Sequence, residues 1–160
     1  MPRPKGNSVV TFKWIYKIKN VADGSIGRYR AWFVDSGFSQ KEGEDYDEVV
    51  SPVIKYTSIR FIISLVASLG WKFHQMDVKT AFLNGVIEEE VYIEKPQEFE
   101  AFGNESHIFR LNKALYGLKQ APRAGYAHIN NYLMRLGFTK SDVDPNLSFK
   151  VVCNAPIILL

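Results

Sequence analysis

Apolar and polar positions alternate along residues 12–19, FKWIYKIK, and again along 28–34, RYRAWFV. A period of two is the signature of a strand whose two faces meet different surroundings. The intervening NVADGSIG carries Asp23-Gly24, a pair suited to tight turns that need positive φ, so the two runs are predicted to form a β-hairpin. After the polar stretch SQKEGEDYDEVVSPV the period lengthens. Ile59, Ile62, Ile63, Val66 and Leu69 recur at helical spacing, and Phe61 and Leu65 widen the stripe. Thr57 or Ser58 is placed to cap the start and Gly70 to end it. This stripe is expected to be buried core rather than a cofactor box.

Further along, WKFHQMD (71–77) reads as a strand, Lys79 to Gly85 as a helical turn or tight loop, and VYIEK, closed by Pro96, as a short strand. Residues 97–106 read as a loop, HIFRL as a strand, and Arg123 to Leu136 as a second long helix. Pro122 suits the start of that helix and Gly137 its end. SDVDPNLSFKVV and APIILL then give a turn and two strands. No repeat, low-complexity tract or linker interrupts the series, which predicts one mixed α+β unit of order ββ-α-β-turn-β-β-α-ββ. The apolar run that closes the sequence is the pattern expected of a truncated domain, since chain ends are normally polar and loosely held.

Composition narrows this picture only modestly. The 160 residues include 20 Lys and Arg against 17 Asp and Glu, for a net charge of +3. That balance tolerates a nucleic-acid partner without requiring one. Lys13, Lys17, Lys19, Arg28 and Arg30 crowd onto the two strands of the hairpin, either as an ordinary solvated face or as a phosphate-binding one. The single cysteine, Cys153, excludes an intramolecular disulfide, and the absence of Cys-x-x-Cys or a His cluster argues against zinc. No signal-peptide core and no run of about 20 apolar residues is present, so the chain reads as intracellular, unsecreted and without a membrane partner. One carboxylate, Asp77, ends a predicted strand; read alone, it would cap the turn that follows.

The strings HQMDVKTAFLNGVIEEEVYIEKPQEFE and LNKALYGLKQAPRAGY resemble the reverse transcriptase domain of Ty1/copia-type retrotransposons. KWIYKIK, DGSI, RYRA, GFSQKEGEDYDEVVSPV and LMRLGFTKSDVDPNL extend the resemblance, in order, over about residues 12 to 160. It implies a right-hand polymerase after a lead-in of about residues 1–11. Fingers would come mainly from 12–56 and 85–122, and a partial palm from 57–84 and 123–160. The implied activity is RNA-directed DNA polymerisation by two-metal phosphoryl transfer, with Mg²⁺ or Mn²⁺ as cofactor. RNA template, DNA primer, deoxynucleotides and the remainder of a Pol polyprotein are the implied partners. The family works in cytoplasmic particles before nuclear integration. Asp77 falls where the first palm aspartate falls, as catalytic and metal-binding residue. Two ions about 3.5–4 Å apart need carboxylates on a rigid element, and a strand end followed by a tight turn would supply one. Val78, Ala81, Phe82, Tyr116 and Gly117 match nucleotide-site positions, Phe82 being either the aromatic that crowds a ribose 2′-OH or a core phenylalanine. Lys13, Lys17, Arg28, Arg30 and Lys119 are implied contacts to template or phosphate, although Lys119 reads equally as a solvated loop lysine.

The family takes two further aspartates from a Tyr-x-Asp-Asp hairpin that has no counterpart in this sequence. One carboxylate does not hold two ions, so the 160-residue chain is expected to be inactive alone and to bind no metal tightly. Inside the matched region, the family's usual Lys-Ala-Arg-Leu-Val-Ala-Lys-Gly is here RAWFVDSG, with Trp32 at a basic position and Asp35-Ser36 for Ala-Lys. The lost positive charges are expected to weaken anion binding. Gly125 replaces a large aromatic within a helix, at about 1 kcal/mol in propensity and about 3–5 kcal/mol if that aromatic was buried. Departures of this kind are expected of a copy no longer selected for polymerase activity.

Overall fold

The computed structural model describes residues 1–3, 8–36, 39–96 and 107–160, and the stretch read as a loop at 97–106 lies outside them. β1 (Phe12–Asn20) and β2 (Ile26–Asp35) form the expected antiparallel hairpin, in register from Phe12 opposite Asp35 to Lys19 opposite Arg28. Asp23 fixes the turn by accepting hydrogen bonds from the Ser25 backbone and hydroxyl at 2.9 and 2.7 Å. Because successive side chains point to opposite faces, the register sorts the hairpin chemically. Lys13, Ile15, Lys17 and Lys19 share one face with Arg28, Arg30, Trp32 and Val34. Phe12, Trp14, Tyr16 and Ile18 share the other with Tyr29, Ala31, Phe33 and Asp35. There Phe33 packs on Phe12 and Trp14 at ring-centroid distances of 4.4 and 5.1 Å.

α1 (Tyr56–Leu69) ends on Gly70, whose left-handed φ of 64° lets its N–H reach the Val66 carbonyl. Its N-cap is Lys55, without a side-chain cap bond, and Thr57 and Ser58 lie within the first turn instead. Ser58 is diverted: its hydroxyl donates to the Asp144 carboxylate. The expectation of a buried helix is not met either. No residue of α1 is buried; Ile59, Ile62, Leu65 and Val66 are half-buried, while Phe61, Ile63 and Leu69 stand exposed. The stripe exists, but among the described residues nothing covers its outer edge. Residues 71–78 likewise form no strand. A strand is maintained by its neighbour's ladder of hydrogen bonds, and among the described residues this segment has no neighbour to supply one.

A 3₁₀ turn (Ala81–Asn84) follows, as the short helical segment was predicted to. β3 (Tyr92–Ile93) and β4 (Phe109–Arg110) form a brief antiparallel pair. α2 (Ala121–Arg135) carries Pro122 in its first turn and is followed by Gly137 at a φ of 83°. A strand too short to be evident in sequence, β5 (Thr139–Lys140), pairs with β6 (Ser148–Val152). β6 in turn pairs with β7 (Ala155–Leu159), giving the order β5-β6-β7. Among the described residues no helix is long and apolar enough to cross a membrane.

The core is assembled mostly from irregular backbone. Val10, Ile87, Val91, Ile93, Ala114, Leu118 and Ala121 are buried together, with Phe33, Phe82, Leu111, Leu115 and Ala124 packed around them. Val10 belongs to the stretch that reads as a lead-in, yet its N–H donates to the Tyr92 carbonyl at 2.8 Å and it is 1% exposed. The core therefore lies between the base of the hairpin and residues 85–124, not beneath α1.

A side-chain hydrogen bond to Asp144 ties α1 to the turn after α2. This carboxylate is 4% exposed and accepts from the Ser58 hydroxyl and from Asn146 N–H at 3.0 Å. Tyr126 of α2 donates to the Pro145 carbonyl at 2.6 Å, joining the same turn to the second helix. The Ser58 hydroxyl first, then the Asn146 backbone, hold the Asp144 carboxyl below its ordinary value of 3.8. A depressed native pKa stabilises above the ordinary carboxylate range, and the contribution is lost as pH falls through the native value. Asp144→Ala and Ser58→Ala should each lower the melting temperature at pH 7, and the double variant should melt little below the worse single one. Thermal melts from pH 7 down to pH 3 should show the gap between parent and Asp144→Asn closing in acid.

Candidate nucleotide and nucleic-acid site

Asp77 lies on the unpaired segment 71–78, exposed and without a hydrogen-bond or ion-pair partner among the described residues. It caps nothing: the 3₁₀ turn starts after Thr80, at a φ of 51°, with no side-chain cap bond. Val78 is exposed beside it. From Ala81 onward the backbone becomes well supported. Gly85 sits so close to α2 that a Cβ there would lie 2.7 Å from the Ala124 carbonyl carbon, so only glycine permits this approach. Its carbonyl accepts from Ala114 N–H at 2.9 Å. Phe82 is half-buried between Tyr116, at a centroid distance of 5.2 Å, and Gly125, where a Cβ would stand 3.2 Å from the ring. Ala81 and Phe82 thus pack on α2 and Phe82 meets Tyr116, while Gly117 packs on Asp35 and Asp77 lies on the segment that precedes them.

The Tyr116–Gly117 segment is joined to the hairpin. Val34 forms a parallel bridge with Tyr116, and Asp35 N–H donates to the Tyr116 carbonyl at 2.8 Å. Gly117 has a φ of 100°, and a Cβ on it would fall 2.1 Å from the Asp35 carbonyl oxygen. Any other residue would break this crossing. Asp35 itself is 3% exposed, and neither carboxylate oxygen has a hydrogen-bond partner. Burial pushes its pKa up to about 6; the Ser36 amide partly opposes this, and the buried Asp45 adds repulsion.

The sequence profile described as "Reverse transcriptase (RNA-dependent DNA polymerase)" matches residues 1–159. The chain belongs to this reverse transcriptase family. It is 46% identical over 157 residues to the Retrovirus-related Pol polyprotein from transposon TNT 1-94 of Nicotiana tabacum, covering 98% of this chain and 12% of that protein. It is 42% identical over 146 residues to the Retrovirus-related Pol polyprotein from transposon RE1 of Arabidopsis thaliana, covering 91% of this chain and 10% of that protein. To the Transposon Ty1-BL Gag-Pol polyprotein of Saccharomyces cerevisiae the identity is 32% over 110 residues, 68% of this chain and 6% of that one. The chain thus spans about a tenth of the curated polyproteins it matches. No solved structure matches it significantly.

Within this reverse transcriptase domain, the departures from the family pattern act differently from what charge counting suggests. Trp32 does share a face with the Lys/Arg set, but Asp35 and Ser36 are buried away from it. Their effect falls on stability, not on a nucleic-acid surface. The signal was in the alternation of β2, where residue 35 has the parity of Phe33. Lys119 is half-buried and engaged: its ammonium donates to the Tyr46 hydroxyl at 2.9 Å and the Gln40 carbonyl at 3.4 Å, and lies 4.7 Å from the Tyr46 ring centre. Gln40 and Gln120, both buried, bond each other at 3.0 Å, and Gln120 donates to the Asp45 carbonyl. This polar network is invisible to motif reading because its partners are some 80 residues apart. The side chains of Lys13, Lys17 and Arg28 have no ion pair or hydrogen bond among the described residues, and Arg30 stacks over Trp32 at 5.8 Å.

Reverse transcriptases act with divalent metal, and the donors among the described residues do not assemble a site for it. No three His, Cys, Asp or Glu side chains converge among them, and Asp144 is already committed to Ser58. Asp77 offers one ligand, which does not make a two-ion site. Asp35 yields a measurable consequence. Its native pKa of about 6 exceeds the ordinary 3.8, so the folded state is favoured by protonation and carries the cost of the bare carboxylate above pH 6. Asp35→Asn should stabilise the chain by up to about 3 kcal/mol at pH 7.5, with the gain shrinking toward pH 4. Urea denaturation at the two pH values checks both magnitude and sign.

Proposed function

We propose that this chain supplies the nucleotide-facing part of an RNA-directed DNA polymerase and does not carry out nucleotidyl transfer alone. On this reading the hairpin and residues 85–122 act as fingers, and residues 57–84 and 123–160 as part of a palm, in a right-hand arrangement. The observation that carries it is the pairing of Phe82 with Tyr116 on a turn pinned to α2 at Gly85, immediately after Asp77. A half-buried aromatic pair held by two rigid supports is suited to bounding a sugar or base, because its position costs no reorganisation on binding. Val78 and Ala81 line the approach, and Gly117 allows close passage of backbone. Lys13, Lys17, Arg28 and Arg30 offer uncommitted charge to the phosphates of template, primer or deoxynucleotide. Lys119, turned inward, holds the 40–46 segment against residues 116–120.

In the complete enzyme Mg²⁺ or Mn²⁺ would stabilise the attacking and leaving oxygens of phosphoryl transfer. Asp77 would contribute one carboxylate to that centre from an element that is not yet rigid in this chain. A second reading, a degenerate remnant with weak nonspecific nucleic-acid binding, is favoured by one observation: a bare carboxylate buried at Asp35. Primer extension on a primed RNA template separates these readings from an autonomous polymerase. The 160-residue chain should incorporate no deoxynucleotide with either metal. Incorporation that is lost in Asp77→Asn would contradict the account.

A further inference from the structure

We propose that the Lys/Arg face of the hairpin is selective for single-stranded nucleic acid, with the Trp32 indole stacking on an unpaired base while the surrounding cations hold phosphates. This rests on the nucleic-acid reading above and narrows it to one strand class and one residue. The register places Lys17 opposite Arg30 and Lys19 opposite Arg28. Like charges directly across a ladder repel, and among the described residues no acid pairs with any of the four. A bound polyanion would relieve that repulsion. Trp32, opposite Ile15, sits one same-face step from the Lys17–Arg30 pair, a rise of about 6.6–6.8 Å. Lys13 flanks it on the other side. Arg30 already lies against the indole, at 5.8 Å, so charge and ring act at one spot. Cations interleaved with an aromatic on a single surface are what a flexible strand with accessible base faces can use; in a duplex those faces are hidden in the stack. The opposite face is aromatic as well, with Trp14 and Tyr16 stacked at 6.2 Å, but it carries no cation and serves as the internal comparison.

The test is anisotropy titration of the 160-residue chain against a labelled oligothymidine and against a labelled duplex of the same length, from 50 to 300 mM salt. The single strand should bind more tightly, with a log–log salt slope approaching about −3.5 for five phosphate contacts. Trp32→Ala should weaken single-strand binding roughly tenfold and leave duplex affinity and the salt slope unchanged. Trp32→Phe should restore most of the loss, which a merely unfolded hairpin would not allow. Lys17→Ala should weaken both ligands and flatten the slope by about 0.7. The proposal is overturned if Trp32→Ala affects strand and duplex alike, if Trp32→Phe rescues nothing, or if Tyr16→Ala costs more than Trp32→Ala. Normal salt-dependent binding without strand preference would remove the stacking claim alone. No binding of either ligand at 50 mM salt would remove the nucleic-acid reading with it.

Discussion

The crossing of Gly117 against Asp35 is the constraint on which the arrangement depends. A carbonyl oxygen occupies the place of the missing Cβ, so the two backbones can meet and the Asp35 N–H can reach the Tyr116 carbonyl. That bond fixes Tyr116, whose ring meets Phe82; Phe82 caps the glycine surface of α2, and Gly85 pins the turn to the same helix. Hairpin, turn and helix are thus linked in series, by close backbone approach at Gly117 and Gly85 and by ring packing between Tyr116 and Phe82. The same crossing draws Asp35 into the interior, where its carboxylate finds no donor.

Support is uneven across the chain as a result. Residues 85–124 and the hairpin base share a core, while α1 presents Phe61, Ile63 and Leu69 to solvent and segment 71–78 has no ladder. Preorganisation of a metal-binding carboxylate comes from the rigidity of the element that carries it. Asp77 lacks that element here, whereas Phe82, five residues farther on, has it through its packing against Tyr116. The site is therefore half built: the part that would bound a nucleotide is fixed, and the part that would hold charge is not.

Local signals were the legible ones. Asp23-Gly24, Gly70, Pro122 and Gly137 each mark a boundary by their own backbone preferences: the hairpin turns at Asp23-Gly24, α1 ends one residue before Gly70, and α2 begins one residue before Pro122 and ends two before Gly137. What escaped sequence reading needed a distant partner. The 71–77 strand fails for want of a neighbour, and β5 exists only because β6 folds back on it. Ser58 is taken from capping duty by Asp144, and Lys119 from solvent by Tyr46. The family motifs grouped Phe82 with Tyr116, which do pack together, but neither motif nor periodicity revealed that Lys119 is engaged by Tyr46 and Gln40.

Amide hydrogen exchange resolved by residue separates the fixed and unfixed halves of the site directly. The N–H groups of Val10, Asp35, Leu111 and Ala114, which bond across segments, should exchange slowly and together, as one cooperative unit. The amides of residues 72–78, leading into Asp77, should exchange at close to unfolded-chain rates. Protection of 72–78 equal to that of Asp35 and Ala114 would mean that the carboxylate already stands on a rigid element, and would contradict this account.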